Sequence, residues 1–235
     1  MKELIDSSKD FYFSDLLMTL ITILCFFVSL RLRKKHKGLE YFFLYPLICL
    51  IQTSNIYIPT FFLSNSKFKY LIVEDNIATI IFLLIEFLIF FIYFNTILKS
   101  KTISYILKLL PIIYLISYVT LLYYFIYKNN ESLFLFYMIQ IAFFLTISIL
   151  YLVELFIVPP IENLAESTSF WIFIAISLYF LCTSPIFISI QFIISENKFL
   201  VLKNLYSINY FSYAIMFILI IKAFKCKPTI IHFNN

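Results

Sequence analysis

An acid in the middle of an apolar run is the first place to look for chemistry. Glu86 stands within 76–98, NIATIIFLLIEFLIFFIYFNTIL, where no other residue is charged. A charged side chain at the centre of a membrane helix costs about 2.5–3.5 kcal/mol on insertion scales, so this carboxyl must face other protein. It is expected to be neutral unless it has a partner. Two kinds of work suit it: binding a ligand, or taking up and releasing a proton. Gln52, on the preceding apolar stretch, lies as deep as Glu86, roughly 18 Å from the cytoplasmic ends of their helices at ~1.5 Å per residue. A short loop joins the two stretches, so Gln52 is the expected hydrogen-bond partner. Thr183 and Ser184, on the sixth stretch, reach a similar level.

Helical spacing extends these points into stripes. Thr79, Glu86 and Tyr93 recur every seven residues and share one helix face. Tyr45, Gln52, Asn55 and Pro59 do the same on the second stretch. Tyr137, Gln140, Phe144, Ser148 and Tyr151 line up on the fifth, with Glu154 a turn nearer the cytoplasm. Together they predict a polar, aromatic-lined cavity, widest toward the outer half, with Glu86, Gln52, Asn55, Tyr93, Gln140 and Thr183 binding a ligand or a proton. The competing explanation is structural, because such residues in membrane helices more often tie neighbouring helices together. That explanation is favoured for the set; for Glu86 the functional one is, since a mid-bilayer acid is costly to keep. Glu154, near the inner interface, is expected to be solvated or paired with Lys222.

The elements that must hold these residues are membrane helices. Of 235 residues 63% are hydrophobic and 13% charged, and the mean hydropathy is +0.97, outside the range of soluble domains. Seven apolar stretches are long enough to span, at about 11–30, 41–63, 76–98, 103–127, 133–158, 170–194 and 205–224. The expected fold is an all-α membrane protein, a seven-transmembrane-helix bundle forming a single domain over 1–235. Pro46, Pro59, Pro111 and Pro185 predict kinks in the second, fourth and sixth helices. Residues 11–30 follow no positively charged n-region and read as a retained helix rather than a cleaved signal.

Charge sets the expected orientation. Arg31, Arg33, Lys34, Lys35, Lys37, Lys99, Lys101, Lys108, Lys222, Lys225 and Lys227, eleven of the eighteen Lys and Arg residues, fall on one side of this arrangement. The positive-inside rule therefore predicts the N-terminus outside and the C-terminus in the cytoplasm. The loop at 159–169 argues weakly the other way, with Glu162 and Glu166 and no base.

Several functions are excluded by what is missing. The single glycine, Gly38, rules out a P-loop, a GxGxxG turn and a glycine-rich filter. His36 and His232 lie outside the apolar stretches, so no haem, His-based metal site or serine-hydrolase triad is expected in the bundle. Lys222 is too near the end of its helix for a central retinal Schiff base. Cys25, Cys49 and Cys182 lie in apolar stretches and read as structural thiols, while Cys226 sits between two lysines where palmitoylation is conceivable. The basic first loop has no interleaved aromatics and suggests anionic lipid rather than nucleic acid. No cofactor is expected. Glu86 and Glu154, roughly 10 Å or more apart along the normal by helix rise, are poorly placed for joint catalysis, so an enzyme is disfavoured.

The stretch ENLAESTSFWIFIAISLYF, Glu162–Phe180, together with seven short-looped helices, resembles small uncharacterised seven-transmembrane proteins of Bacteroidota, some of which are similar to the membrane sensor modules of histidine kinases. That resemblance implies a sensory or receptor-like role in a bacterial cytoplasmic membrane and transfers no ligand residues. The expected function is a sensor that binds a small apolar or lipid-like ligand in the bundle and signals to a cytoplasmic or membrane partner, or through a homo-oligomer. The alternative is a proton-coupled small-solute transporter using Glu86.

Overall fold

The computed structural model describes residues 2–35, 39–52, 75–98, 100–127, 133–157, 163–195 and 199–226. Among them the chain is helical throughout, with no strand. The helices are α1 (Lys2–Leu32), α2 (44–52), α3 (Asp75–Ile97), α4 (Lys101–Tyr127), α5 (Leu133–Ile157), α6 (Thr168–Ser195) and α7 (Phe199–Lys225). Short 3-10 turns follow α1 at Arg33–Lys35 and precede α6 at Leu164–Glu166. Asn55, Pro59, the far part of the second apolar stretch, the turn at 128–132 and the proline pair at 159–160 lie outside the described residues.

Long helices are what a chain of this composition must form in lipid, where each backbone N–H and C=O has to be satisfied within its own segment. Among the described residues, five helices carry stretches long and apolar enough to cross a membrane: Thr79–Ile97, Thr102–Ile126, Phe134–Ile157, Thr168–Ser189 and Ser207–Lys225. A shorter apolar run, Leu16–Leu32, ends α1. The outer surface agrees with this. Leu20, Leu24 and Phe27 on α1, Ile112, Ile116 and Val119 on α4, and Phe156 on α5 all stand exposed, an apolar surface far beyond what water tolerates and one suited to lipid. The chain is thus a multi-pass, all-α membrane bundle.

The prolines disturb less than their positions suggest. Pro46 falls in the first turn of α2, where a missing N–H costs no helical bond. Pro185 lies inside α6 and leaves the Leu181 carbonyl without its usual donor. The Ser184 hydroxyl donates to that carbonyl at 3.2 Å, so the helix runs on. Pro111 likewise sits inside an unbroken α4.

With one glycine in the chain, helices cannot approach through glycine faces, and the packing uses aromatic rings instead. α5 is central, packed against α3, α4 and α6; α7 packs against α6 and α1. Phe144 of α5 stacks on Phe180 of α6 at 4.4 Å and meets Phe90 of α3 edge-on at 5.2 Å. Phe87 of α3 stacks on Tyr114 of α4 at 3.8 Å. Ring pairs of this kind are worth about 0.5–1.5 kcal/mol each beyond area burial. α2 lies between α3 and α7: Tyr45 packs on Phe90 at 4.7 Å and on Phe217 at 5.8 Å.

The turn before α2 sinks two of its five side chains into the core and leaves Glu40 and Tyr41 exposed. Leu39 and Phe42 are almost wholly covered, and the Phe42 ring contacts Phe90, Tyr93 and Phe224. α2 therefore starts well inside the bundle rather than level with the end of α3. At the same basic end, the Arg33 guanidinium lies 5.1 Å over the Phe43 ring, tying the first loop to this turn.

Candidate functional site

Among the described residues, the α5 stripe and the Glu86 and Tyr93 positions of α3 face inward. On α5, Gln140, Phe144, Ser148, Tyr151 and Glu154 are all buried, and Tyr137 is half-buried. On α3, Glu86 and Tyr93 are buried. The structure then divides these residues among different tasks.

Glu86 sits at the centre of a hydrogen-bond network. Tyr45 Oη of α2 donates to its Oε1 at 2.9 Å, and Gln140 Nε2 of α5 donates to its Oε2 at 3.1 Å. The same Nε2 also donates to the Leu83 carbonyl at 3.1 Å, and Tyr114 Oη of α4 donates to Gln140 Oε1 at 2.5 Å. Tyr118, one turn further along α4, donates to the Ile80 carbonyl. The orientation of the Gln140 amide follows from one neighbour. A carbonyl can only accept, so the atom facing Leu83 must be the NH2 group, and the atom facing Tyr114 must be the oxygen. Glu86 Oε2 is therefore always an acceptor. When the carboxyl carries a proton on Oε1, Tyr45 accepts it and turns its own hydrogen toward Met216 Sδ, 3.7 Å away.

Gln52, the expected partner of Glu86, lines the same cavity, while the hydrogen bond to the carboxyl comes from Tyr45, seven residues earlier. The reason is the turn at 39–43. It moves α2 about two helical turns along the bundle, about 10 Å at ~1.5 Å per residue, and so brings Tyr45 to the level assigned to Gln52.

Glu86, Gln52 and Gln140 border a cavity of about 130 Å3 together with Phe82, Leu83 and Ile141, Tyr137 and Phe187, Tyr179 and Phe180, and Asn209 and Tyr213. It lies among α2, α3, α5, α6 and α7, displaced from the basic end. Tyr137 stacks on Phe187 at 4.5 Å, and Tyr179 meets Tyr213 edge-on at 5.6 Å, so the walls are rings held by other rings. Asn209 borders the cavity, while its Oδ1 is turned away from accessible space and has no hydrogen-bond partner among the described residues. A buried acceptor left unpaired costs about 1–3 kcal/mol.

The remaining candidates are placed elsewhere. Tyr93 packs against Phe42 and Phe94 in the aromatic core, two turns from Glu86 along α3. Thr183 is fully buried, and its hydroxyl bonds back to the Tyr179 carbonyl of its own helix at 2.9 Å. Both support the cavity without forming its wall. Glu154 accepts from the Ser100 backbone N–H at 3.0 and 3.3 Å, holding the start of α4 to the end of α5. Lys222 lies not beside Glu154 but over the Trp171 ring, its Nζ 3.4 Å from the centroid. Trp171 Nε1 in turn donates to the Ala165 carbonyl at 2.7 Å. This joint between α6 and α7 stands at the basic end, opposite the cavity. Tyr151 donates to Ser169 Oγ at 3.2 Å, and Ser177 donates to Ser148 at 2.8 Å, so the lower part of the α5 stripe ties helices together.

Tyr114, Asn209 and Tyr213 join the site without having been singled out in the sequence. Two signals were present: Tyr114 and Tyr118 share a face of α4, and Asn209 precedes Tyr213 by one turn on α7. Both were obscured by the abundance of tyrosine in the chain. Compared with known proteins, the chain matches no family model, no curated protein and no solved structure.

Proposed function

We propose that the chain crosses a bacterial cytoplasmic membrane seven times, with its N-terminus outside and its C-terminus inside, and serves as a receptor-like sensor. A small, largely apolar ligand occupies the cavity beside Glu86. The occupied state is passed to a cytoplasmic or membrane partner, or to a second copy of the chain, through the inner loops and the end of α7. The orientation rests on the clustering of Lys and Arg at one end. The single observation that carries the function is the cavity itself: about 130 Å3, walled by rings, with Glu86 and the amide residues Gln52, Gln140 and Asn209 in its lining. Helix ties need hydrogen-bond partners but no empty volume, so glue alone leaves this space unexplained.

Transmission has a route in α6. This helix borders the cavity with Tyr179, Phe180 and Phe187 and reaches the Trp171–Lys222 joint with its other end. Trp171 is the one tryptophan of the chain, so its fluorescence reports that joint alone. Benzene and 1-propanol added to the full chain in lipid nanodiscs are expected to change Trp171 emission, and Glu86→Gln is expected to abolish the response while the chain remains inserted and folded. Stabilisation by these probes with unchanged emission refutes transmission, and loss of folding in Glu86→Gln favours a structural role for the acid.

A proton-coupled transporter is the second reading, and the carboxyl in the cavity wall is what favours it. Glu86 borders the cavity, which gives its proton a place to exchange. A pH-gradient-driven flux in proteoliposomes that vanishes in Glu86→Gln decides for this reading.

A further inference from the structure

Two neighbouring helices carry exposed apolar stripes that end in bases at the same level. We infer that the outer face of α1 and α7 at the basic end binds an anionic phospholipid, its headgroup among Arg31, Lys34, Lys222 and Lys225 and its acyl chains along the apolar residues before them. This inference is independent of the cavity and of the sensor reading.

Three observations converge. The first is spacing. Leu20, Phe27 and Arg31 on α1, with Lys34 in the 3-10 turn that follows, stand at i, i+7, i+11 and i+14, and all four are exposed. Phe211, Ile218, Lys222 and Lys225 on α7 repeat that spacing and are exposed too. Each stripe passes from hydrocarbon into positive charge along one helix face. The second observation is level. α1 packs along α7. Arg33 lies over Phe43, and the adjacent Phe42 meets Phe224, which stands between Lys222 and Lys225 on α7, at 6.1 Å. The two basic ends are therefore side by side. Lys222 also lies over Trp171, a residue type that settles at the membrane interface. The third is the charge balance. Among the described residues here, the bases are Arg31, Arg33, Lys34, Lys222 and Lys225, whereas the exposed acids are Glu40 and Glu166. Glu154 is buried and accepts from the Ser100 N–H. A base near an anionic membrane surface is worth about fivefold in relative affinity.

Other occupants answer only part of this face. A zwitterionic lipid covers the apolar stripes, but its headgroup carries its own cation and gains little from the surplus of bases. A soluble anion meets the bases and has nothing to lay along Phe27 and Ile218. An anionic phospholipid matches both parts in the order in which the helices present them.

Trp171, the single tryptophan, lies 3.4 Å from Lys222 Nζ and so reports which lipid sits at this face. The full chain is placed in nanodiscs of phosphatidylglycerol and phosphatidylcholine in equal parts, with bromine on the acyl chains of one lipid or of the other. Bilayer composition is then the same in both preparations, and the ratio of Trp171 quenching measures local enrichment. Brominated phosphatidylglycerol is expected to be preferred by about fivefold or more. The preference should fall between ~0.1 M and ~1 M salt, where the screening length shortens from about 10 to about 3 Å. Lys222→Gln combined with Lys225→Gln is expected to bring the ratio close to parity. Arg31→Gln, on the neighbouring helix and clear of the Trp171 joint, is expected to lower it by about two- to fivefold. Lys108→Gln removes an exposed base from α4, which packs on α5 and α3, and should leave the ratio unchanged. Equal quenching by the two lipids in the unsubstituted chain overturns the inference, as does a preference that survives Lys222→Gln with Lys225→Gln or is unmoved by Arg31→Gln. An equal drop in Lys108→Gln overturns it as well, because the lipid then follows the overall charge of the basic end rather than this face.

Discussion

Replacing Gln140 by leucine tests whether the Glu86 network is a unit. The substitution roughly keeps side-chain volume and apolar contact with α3, and it removes three hydrogen bonds: those to the Leu83 carbonyl, to Glu86 Oε2 and from Tyr114. Hydrogen bonds between membrane helices average about 0.6 kcal/mol, with a maximum near 1.7, so their loss costs about 2 kcal/mol at the average value. Glu86 Oε2 is also left as a buried acceptor without its donor, which raises the expectation toward about 4 kcal/mol. Steric trapping of the full chain in bicelles measures this unfolding free energy without detergent denaturation. The same substitution in a Glu86→Leu background should cost less by about 1 kcal/mol, because the orphaned oxygen is gone and the pair's coupling appears in the double-mutant cycle. A cost below about 0.5 kcal/mol for Gln140→Leu, or the same cost with and without Glu86, refutes the reasoning. It would mean that the amide is oriented by packing and that its bonds to α3 contribute nothing net.

Two further outcomes follow from the packing. Phe144, fully buried between Phe90 and Phe180, should cost on the order of 3 kcal/mol when cut to alanine, whereas Phe156, 86% exposed on the same helix, should change stability by less than about 0.5 kcal/mol; steric trapping of the two variants checks the contrast, and comparable costs contradict the assignment of the α5 faces. Glu154→Ala removes the acceptor of the Ser100 N–H, so amide exchange at the start of α4 should accelerate by about tenfold, as expected for loss of a charge-assisted cap bond worth ~1 kcal/mol or more. Unchanged exchange there, measured by mass spectrometry, shows that α4 is anchored by other means.

Much of this molecule was readable before any coordinates. Composition alone places the chain in a bilayer, because a helix of Phe, Ile and Leu has no other solvent in which to expose its outer face, and lipid then demands helices. The inward face of α5 is legible from the spacing of Gln140, Phe144, Ser148, Tyr151 and Glu154, since a period near 3.6 residues survives any later choice of neighbours. Glu86 declares itself as an inward residue by cost alone.

Which residues meet was decided by the tertiary structure. Depth along each helix can be counted from sequence only if the helices begin at the same level, and the turn at 39–43 breaks that assumption by burying Phe42 between α3 and α7. Tyr45 rather than Gln52 therefore reaches Glu86. Gln140 could be placed on the inward face of α5, but its triple role depends on α3 and α4 flanking it together, which periodicity does not encode. Thr183 and Asn209 show the same division. Each is a polar residue in an apolar helix, yet one satisfies itself on its own backbone and the other borders a cavity while its buried oxygen stays unpaired. A sequence carries the cost of each polar side chain; only the packed bundle determines where that cost is met.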